Sequence, residues 1–70
     1  MEFKVTEDFI PLIKLLKTLR IAESGGQAKM MVDDGIVLRN GEQEFRYRAK
    51  LVPGDVIEIP ELIDQKIVII

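Results

Sequence analysis

The sequence "SGGQAK" at residues 24–29 marks the start of a helix and is the most informative stretch of the chain. Ser24 is followed three residues later by Gln27, the spacing of a capping box, in which each side chain accepts a hydrogen bond from a backbone N–H. Gly25 and Gly26 need a separate explanation, because glycine costs about 1 kcal/mol relative to alanine in a helix. Three explanations stay open: phosphate approach to bare N–H groups, close packing of a second helix, or tolerance at a helix end.

The paired glycines do not form a nucleotide-binding motif. A Walker loop needs a wider glycine spacing and a Lys-Ser/Thr pair after a strand, and a dinucleotide fingerprint needs G-x-G-x-x-G. Neither spacing occurs around Gly25. The stretch is therefore interpreted as the first turn of a capped helix.

Length and composition predict one domain over residues 1–70 and exclude most catalytic chemistry. The chain is 47% apolar and 31% charged, which is ordinary globular composition. It has no cysteine and no histidine, so disulfides, the usual zinc ligand sets and Cys-His or Ser-His catalysis are excluded. We therefore expect no enzyme, no catalytic residues, no metal and no cofactor.

The charge is unevenly distributed along the chain. The net charge is −2, yet residues 14–50 hold eight Lys or Arg and five acids, a net of +3. The two ends hold two lysines and seven acids, a net of −5. A polarised chain of this kind can offer a basic surface to a polyanion, but for a charge bias of this size taken alone a solvated mixed surface is the favoured explanation.

Apolar spacing predicts two short helices. A helix is expected from about Phe9 to Leu19, because leucines recur at the three-four spacing of an amphipathic helix. Its less apolar side carries a basic stripe made of Lys14, Lys17 and Arg20. A second helix is expected over about Gly25–Val32, with Ala28, Met31 and Val32 buried.

Alternation and turn signals predict the strands. Strands are expected at residues 2–5, 36–38, 45–50, 56–59 and 66–70. Asn40-Gly41 predicts a type I′ hairpin turn, and Pro53-Gly54 predicts a type II turn. Over 45–50, Phe45, Tyr47 and Ala49 should point one way and the cations Arg46, Arg48 and Lys50 the other. The predicted fold class is α+β: two short N-terminal helices packed on a small, mostly antiparallel sheet of four to five strands.

The order of these signals resembles a known family. Two helices, "S-x-x-Q-A-K", a Gly-x-Val step, "NG", a basic strand and "PGD-x-I-x-I" are similar to the alpha-L, or S-four-type, RNA-binding domain, over about residues 12–59. The small free-standing bacterial form is the most similar. The resemblance implies binding to structured RNA, ribosomal or transfer. Because the candidate surface is mostly Lys and Arg with few stacking aromatics, we expect it to recognise backbone shape rather than base sequence.

The resemblance also implies which residues meet RNA. The backbone and side chains at the second helix start, the hairpin, the basic strand and the stripe on the first helix would form the surface. These residues are Lys14, Lys17, Arg20, Ser24, Gly25, Gly26, Gln27, Lys29, Arg39, Arg46, Arg48 and Lys50. In the family at large an arginine commonly follows the capping serine, whereas this chain has Gly25, which removes one cation.

Two alternatives remain at this point. The "V-x-x-NG" and "GD-x-I-x-I" steps also resemble small β-grasp sulfur carriers, but the chain ends in "KIVII" and lacks the reactive terminal glycines. A protein-interaction module could instead dock through the acidic ends or through an exposed edge of "KIVII". In either case we expect a cytoplasmic monomer with no membrane contact, since no apolar run is long enough to span a bilayer.

Overall fold

Two helices and seven short strands make up the computed structural model, which describes all residues 1–70. The helices follow one another near the start of the chain, and most strands come after them. In chain order the elements are β1 (Glu2–Phe3), β2 (Ile10–Pro11), α1 (Leu12–Thr18), α2 (Gly25–Asp33), β3 (Leu38–Arg39), β4 (Glu42–Gln43), β5 (Lys50–Leu51), β6 (Val56–Glu58) and β7 (Ile67–Ile69).

The strands form a five-stranded sheet and a separate two-stranded one. The larger sheet has the order β1-β7-β6-β3-β4, with β1 parallel to β7 and every other pair antiparallel. The smaller sheet pairs β2 with β5. This arrangement confirms the predicted α+β class. It also removes the alternative of docking through an exposed edge of "KIVII", because β7 has a hydrogen-bonded neighbour on each side.

One apolar core lies between the helices and the larger sheet. Helix α1 buries Leu12, Leu15 and Leu16, and α2 buries Ala28, Met31 and Val32, as their spacing predicts. The sheet contributes Ile57, Ile59, Ile67 and Ile69. No helix in the chain has the length and apolarity needed to cross a membrane.

Helix α1 begins three residues later than predicted. Ile10 and Pro11 form β2 and pair with Leu51 and Lys50, so Phe9–Pro11 do not belong to the helix. The loop before β5 then satisfies the first helical N–H groups. Leu12 donates to the carbonyl of Ala49 and Ile13 to the carbonyl of Tyr47, each at 2.9 Å. The start of α1 is thus closed by the protein itself.

The two predicted turns are present. Asn40 and Gly41 have φ angles of 53° and 85°, which are the two positive values that a type I′ turn requires. At the second turn Gly54 has φ of 100°, and Asp55 donates its N–H to the carbonyl of Val52 at 3.0 Å. Both turns are set by local sequence.

The predicted basic strand over 45–50 is mostly not a strand. Residues 46–49 form a turn closed by the N–H of Ala49 and the carbonyl of Arg46 at 3.1 Å, and only Lys50 continues into β5. Phe45 is exposed rather than facing inward with buried Ala49. Arg46 and Arg48 therefore lie on a loop and Lys50 at the start of β5, so the three cations do not follow one strand edge.

Candidate nucleic-acid interface

One face of α2 meets the loop that carries Arg46 and Arg48. Gly25, Lys29 and Asp33 are spaced by four residues and so share that face. The Lys29 ammonium lies 5.5 Å from the centre of the Tyr47 ring, and the Arg48 guanidinium lies 5.6 Å from it. Tyr47 thus holds a cation from each element, an arrangement stabilised by attraction between cation and ring.

An open groove runs beside this contact. It has a volume of about 650 Å³ and is lined by residues 45–50 together with Asp33 and Arg39. We call it the basic groove. Four of its eight lining residues are Lys or Arg, against a single acid, Asp33. The local charge is therefore positive although the whole chain is acidic.

The start of α2 has the predicted capping box. Ser24 Oγ accepts from the N–H of Gln27 at 3.1 Å. The Gln27 Oε1 atom accepts in return from the N–H of Glu23 at 2.6 Å, one residue earlier than in the usual box. Gln27 therefore uses its side-chain oxygen within the helix cap, and only its amide nitrogen is free to donate elsewhere.

The two glycines leave backbone donors open at this helix start. The N–H groups of Gly25 and Gly26 have no acceptor in the protein, in contrast to the first donors of α1. Packing does not demand glycine here. A Cβ at Gly25 would lie 3.6 Å from Ile13 Cδ1, and one at Gly26 would lie 3.9 Å from Ser24 Oγ. The structure thus disfavours close helix packing as the reason for the glycines.

Arg39 lies between two buried carboxylates. Glu44 and Asp55 are each only 8% exposed. The Arg39 guanidinium donates to Asp55 Oδ2 at 2.8 Å, to Glu44 Oε1 at 3.3 Å and to the carbonyl of Lys50 at 2.9 Å. The hydrogen bond with Asp55 raises the pKa of Arg39, although burial opposes the rise. Arg39 is thus engaged inside the protein, a role that its sequence position did not reveal.

Asp55 joins the hairpin turn to the "VPGD" turn. It accepts from the N–H of Val52 and from Asn40 Nδ2, each at 2.9 Å, while Asn40 Oδ1 accepts from the N–H of Val56 at 2.8 Å. Burial alone would raise the pKa of Asp55. The hydrogen bonds from Val52, Asn40 and Arg39 outweigh it and hold the pKa below its usual range.

Glu44 also orients Arg46. Both carboxylate oxygens of Glu44 accept from the Arg46 guanidinium, at 3.2 and 3.3 Å, and Oε2 accepts from the Arg46 N–H at 3.2 Å. Burial would raise the pKa of Glu44, but the hydrogen bonds from Arg46 and Arg39 lower it overall. The Arg46 side chain is nevertheless 75% exposed, so the pair holds a cation at the surface.

The cations of α1 do not all lie on the same side. Lys17 is one turn beyond Ile13, whose side chain lies beside Gly25, so Lys17 extends the α2 face. Lys14 lies on the other flank with Thr18, in a groove formed with residues 3–7 and 9–11. The predicted stripe is therefore divided.

Arg20 follows α1 in an unusual backbone conformation. Its φ is 58°, in the left-handed region that favours glycine. Arg20 donates its N–H to the carbonyl of Lys17, and Ile21 donates to Leu16, both at 3.0 Å, which is a Schellman motif. An arginine at this position places a cation beside the α1–α2 loop at a cost in backbone energy.

The chain thus combines a two-layer α+β fold with a cationic groove between α2 and the loop before β5. Comparison with known proteins gives the family: the model of the S4 domain matches residues 3–70. The chain is also 38% identical over 55 residues to the "Probable ribosome maturation protein RlbA" of Bacillus subtilis (strain 168), covering 79% of this chain and 78% of that relative. The chain therefore belongs to the S4 domain family, whose members are in general RNA-binding.

Proposed function

We propose that this protein binds structured ribosomal RNA through the basic groove and the open start of α2, and that it acts in ribosome maturation without catalysing a reaction. The observation that carries the proposal is the shared face. Lys29 lies on the side of α2 that meets Tyr47 and Arg48, and Gly25 lies one turn before Lys29 on the same face. The N–H groups of Gly25 and Gly26, at the start of this helix, have no acceptor in the protein. The name of the Bacillus relative favours ribosomal over transfer RNA.

The groups on this surface suit phosphate better than base edges. Lys29, Arg48 and Lys50 are exposed and have no carboxylate partner, so each can meet a phosphate. The positive end of the α2 dipole adds to their attraction. Contacts of this kind recognise backbone shape, which suits folded RNA.

The remaining predicted residues take secondary places in the proposal. Arg46, Lys17 and Arg20 extend the surface, and Ser24 and Gln27 support the helix start. Arg39 contributes through the loop that it anchors. Lys14 would meet only an RNA that also wraps the far flank of α1. We further propose that the protein acts as a cytoplasmic monomer.

The test is the salt dependence of binding, measured by fluorescence anisotropy with ribosomal RNA hairpins, transfer RNA and duplex DNA of matched length. Each phosphate neutralised contributes about −0.7 to −0.9 to the slope of log affinity against log salt. Four cations available to phosphate, Lys29, Arg46, Arg48 and Lys50, predict a slope of about −3. If the wild-type protein shows no salt-sensitive binding, the proposal is refuted. If it binds duplex DNA as tightly as RNA, the surface binds polyanions in general and is not selective for RNA.

The Gly25→Arg variant should bind RNA more tightly, by about three- to tenfold at low salt, because it adds one cation to the phosphate-binding face. The side chain has room, since its Cβ would make only an ordinary contact with Ile13. Gly25→Ala is the matched control, because it gains the same helix propensity without charge. Unchanged affinity in Gly25→Arg, with the fold intact, would show that residue 25 faces away from RNA.

The Arg20→Gly variant should be more stable yet bind RNA less well. Glycine relieves the left-handed strain, and its greater unfolded-state entropy limits the net gain to about 1 kcal/mol or less. Loss of the cation should weaken RNA binding about threefold. Thermal unfolding and anisotropy measure the two effects, and Arg20→Ala, which loses the charge but keeps the strain, separates them. If both variants bind RNA as tightly as the wild type, Arg20 is not part of the RNA-binding surface.

A further inference from the structure

Phe45 is an exposed aromatic side chain inside the basic groove. It is 56% exposed and lines the groove together with Arg46, Arg48 and Lys50. The other aromatic rings are occupied. Phe3 packs against the core, Phe9 has the Lys50 ammonium 5.0 Å from its ring centre, and Tyr47 has Lys29 and Arg48. Phe45 alone offers an exposed ring with no cation over it.

The Phe45 ring is supported from below by the end of α2. Gly35, with φ of 75°, ends the helix, and a Cβ there would lie 3.3 Å from Phe45 Cε1 and 3.5 Å from Cζ. Gln43 Nε2 holds the same corner by donating to the Gly35 carbonyl at 3.0 Å. The ring therefore rests on bare backbone and is positioned before any ligand arrives, which lowers the entropy cost of a contact.

The charged residues around Phe45 divide the groove into a part that suits a base and a part that suits phosphates. Asp33 lines the groove two residues before Gly35, and its carboxylate pairs with no cation. A phosphate beside Asp33 would be repelled, whereas the N–H donors on the edge of a base would find an acceptor. Arg46, Arg48 and Lys50 provide the phosphate contacts along the rest of the groove.

We propose that Phe45 is a stacking platform for one unpaired base, so that the RNA ligand of the basic groove is a stem carrying a bulged or looped-out nucleotide. This inference rests on the proposed RNA-binding function and narrows its substrate. Unpaired bases are the part of RNA that proteins stack on aromatic side chains, while the flanking stem offers its phosphates. A fully paired stem would leave the Phe45 ring in water.

The experiment compares two hairpins that differ by one bulged nucleotide, by anisotropy at constant salt. Wild-type protein should bind the bulged hairpin about 5- to 150-fold more tightly, the range expected for one base stacked on an aromatic ring. Phe45→Leu should lose this preference but keep the salt slope. Because the chain has no tryptophan, Phe45→Trp adds one fluorophore, and the stacked base should quench it.

Three results would overturn the inference: equal binding of both hairpins by the wild type, a bulge preference retained in Phe45→Leu, or unchanged tryptophan emission from Phe45→Trp at saturation. The wild-type comparison decides the matter even if Phe45→Leu fails to fold. The failure of the broader proposal looks different, since neither hairpin would then show salt-sensitive binding. Binding that is salt-sensitive but indifferent to the bulge would retain the RNA surface and reject the base platform.

Discussion

The Arg39→Met variant should lose about 3–5 kcal/mol of unfolding free energy, which is a large fraction of the stability of a domain of this size. Arg39 is the cation between Glu44 and Asp55, and both carboxylates are almost fully buried. Methionine of similar length fills the space but leaves two acids without their shared partner. Buried charges that lose a partner cost far more than exposed ones.

Urea denaturation measures this loss, and Arg46→Met is the matched control. Arg46 also pairs with Glu44 and undergoes the same substitution, but its side chain is exposed. We expect Arg46→Met to cost less than about 1 kcal/mol. Similar losses in the two variants would show that the Arg39 ion pairs contribute no more than a surface pair.

Acid titration gives an independent check on the same ion pairs. The folded pKa values of Glu44 and Asp55 are lowered, so their stabilisation is present above the ordinary carboxyl pKa of about 4. It is lost as pH falls through the lower folded pKa values. The wild type should therefore lose stability below about pH 4, and Arg39→Met should show a smaller acid-dependent loss. An equal pH dependence would contradict this account.

The double charge reversal Arg48→Glu/Lys50→Glu should weaken RNA binding about 100-fold at low salt. It removes two cations from the basic groove and places two anions beside the phosphates. Arg46 is left unchanged in this variant, because Arg46→Glu would put a second carboxylate against buried Glu44 and would disturb the fold as well as the RNA contact. Neither Arg48 nor Lys50 forms a salt bridge, so the fold should persist.

The matched control is Lys4→Glu/Lys66→Glu, which changes the net charge by the same amount at the acidic ends of the chain. Its RNA affinity should fall by less than about threefold, since those lysines lie outside the groove. Circular dichroism confirms folding, and anisotropy gives the affinities. Equal weakening by both pairs would mean that net charge, rather than the groove, governs binding.

Features set by neighbouring residues were predictable from the sequence. Helix α2 was predicted to within one residue, because its cap, its apolar spacing and its glycine terminator at Gly35 are all local signals. The turns at Asn40-Gly41 and Pro53-Gly54 were predictable for the same reason. Such signals act over a few neighbouring residues, so a single sequence contains them in full.

Features set by distant pairing were not predictable. The sequence of Phe9–Pro11 fits a first helical turn, since proline suits that position. The pairing of Ile10 with Leu51 instead places Ile10 and Pro11 in a strand, and Phe9 precedes that strand. The same pairing ends the alternation over 45–50, because the loop must turn to bring its carbonyls to the first N–H groups of α1. Nothing near Phe45 in the sequence indicates either contact.

The sequence predicted which cations lie near the groove, but it did not predict which of them are free and which pair with acids inside the protein. Lys29, Arg48 and Lys50 come together as the basic middle of the chain suggested. Arg39 looks equivalent in sequence, yet Asp55, sixteen residues away, engages it inside the protein. Asp55 occupies the last position of the "VPGD" turn, where nothing local distinguishes a buried acid from a solvated one.

The parallel pairing of β1 with β7 has a consequence for the order in which the molecule folds. It joins Glu2 to Val68 and so closes a loop of almost the whole chain, whereas α1, α2 and the β3–β4 hairpin depend on much shorter closures. Closing a longer loop costs more chain entropy, and that entropy is lost before the contacts that stabilise the closed loop are made. We therefore expect the helices and hairpin to form the folding nucleus and β1 to join late, so a substitution at Phe3 should speed unfolding while leaving the refolding rate nearly unchanged.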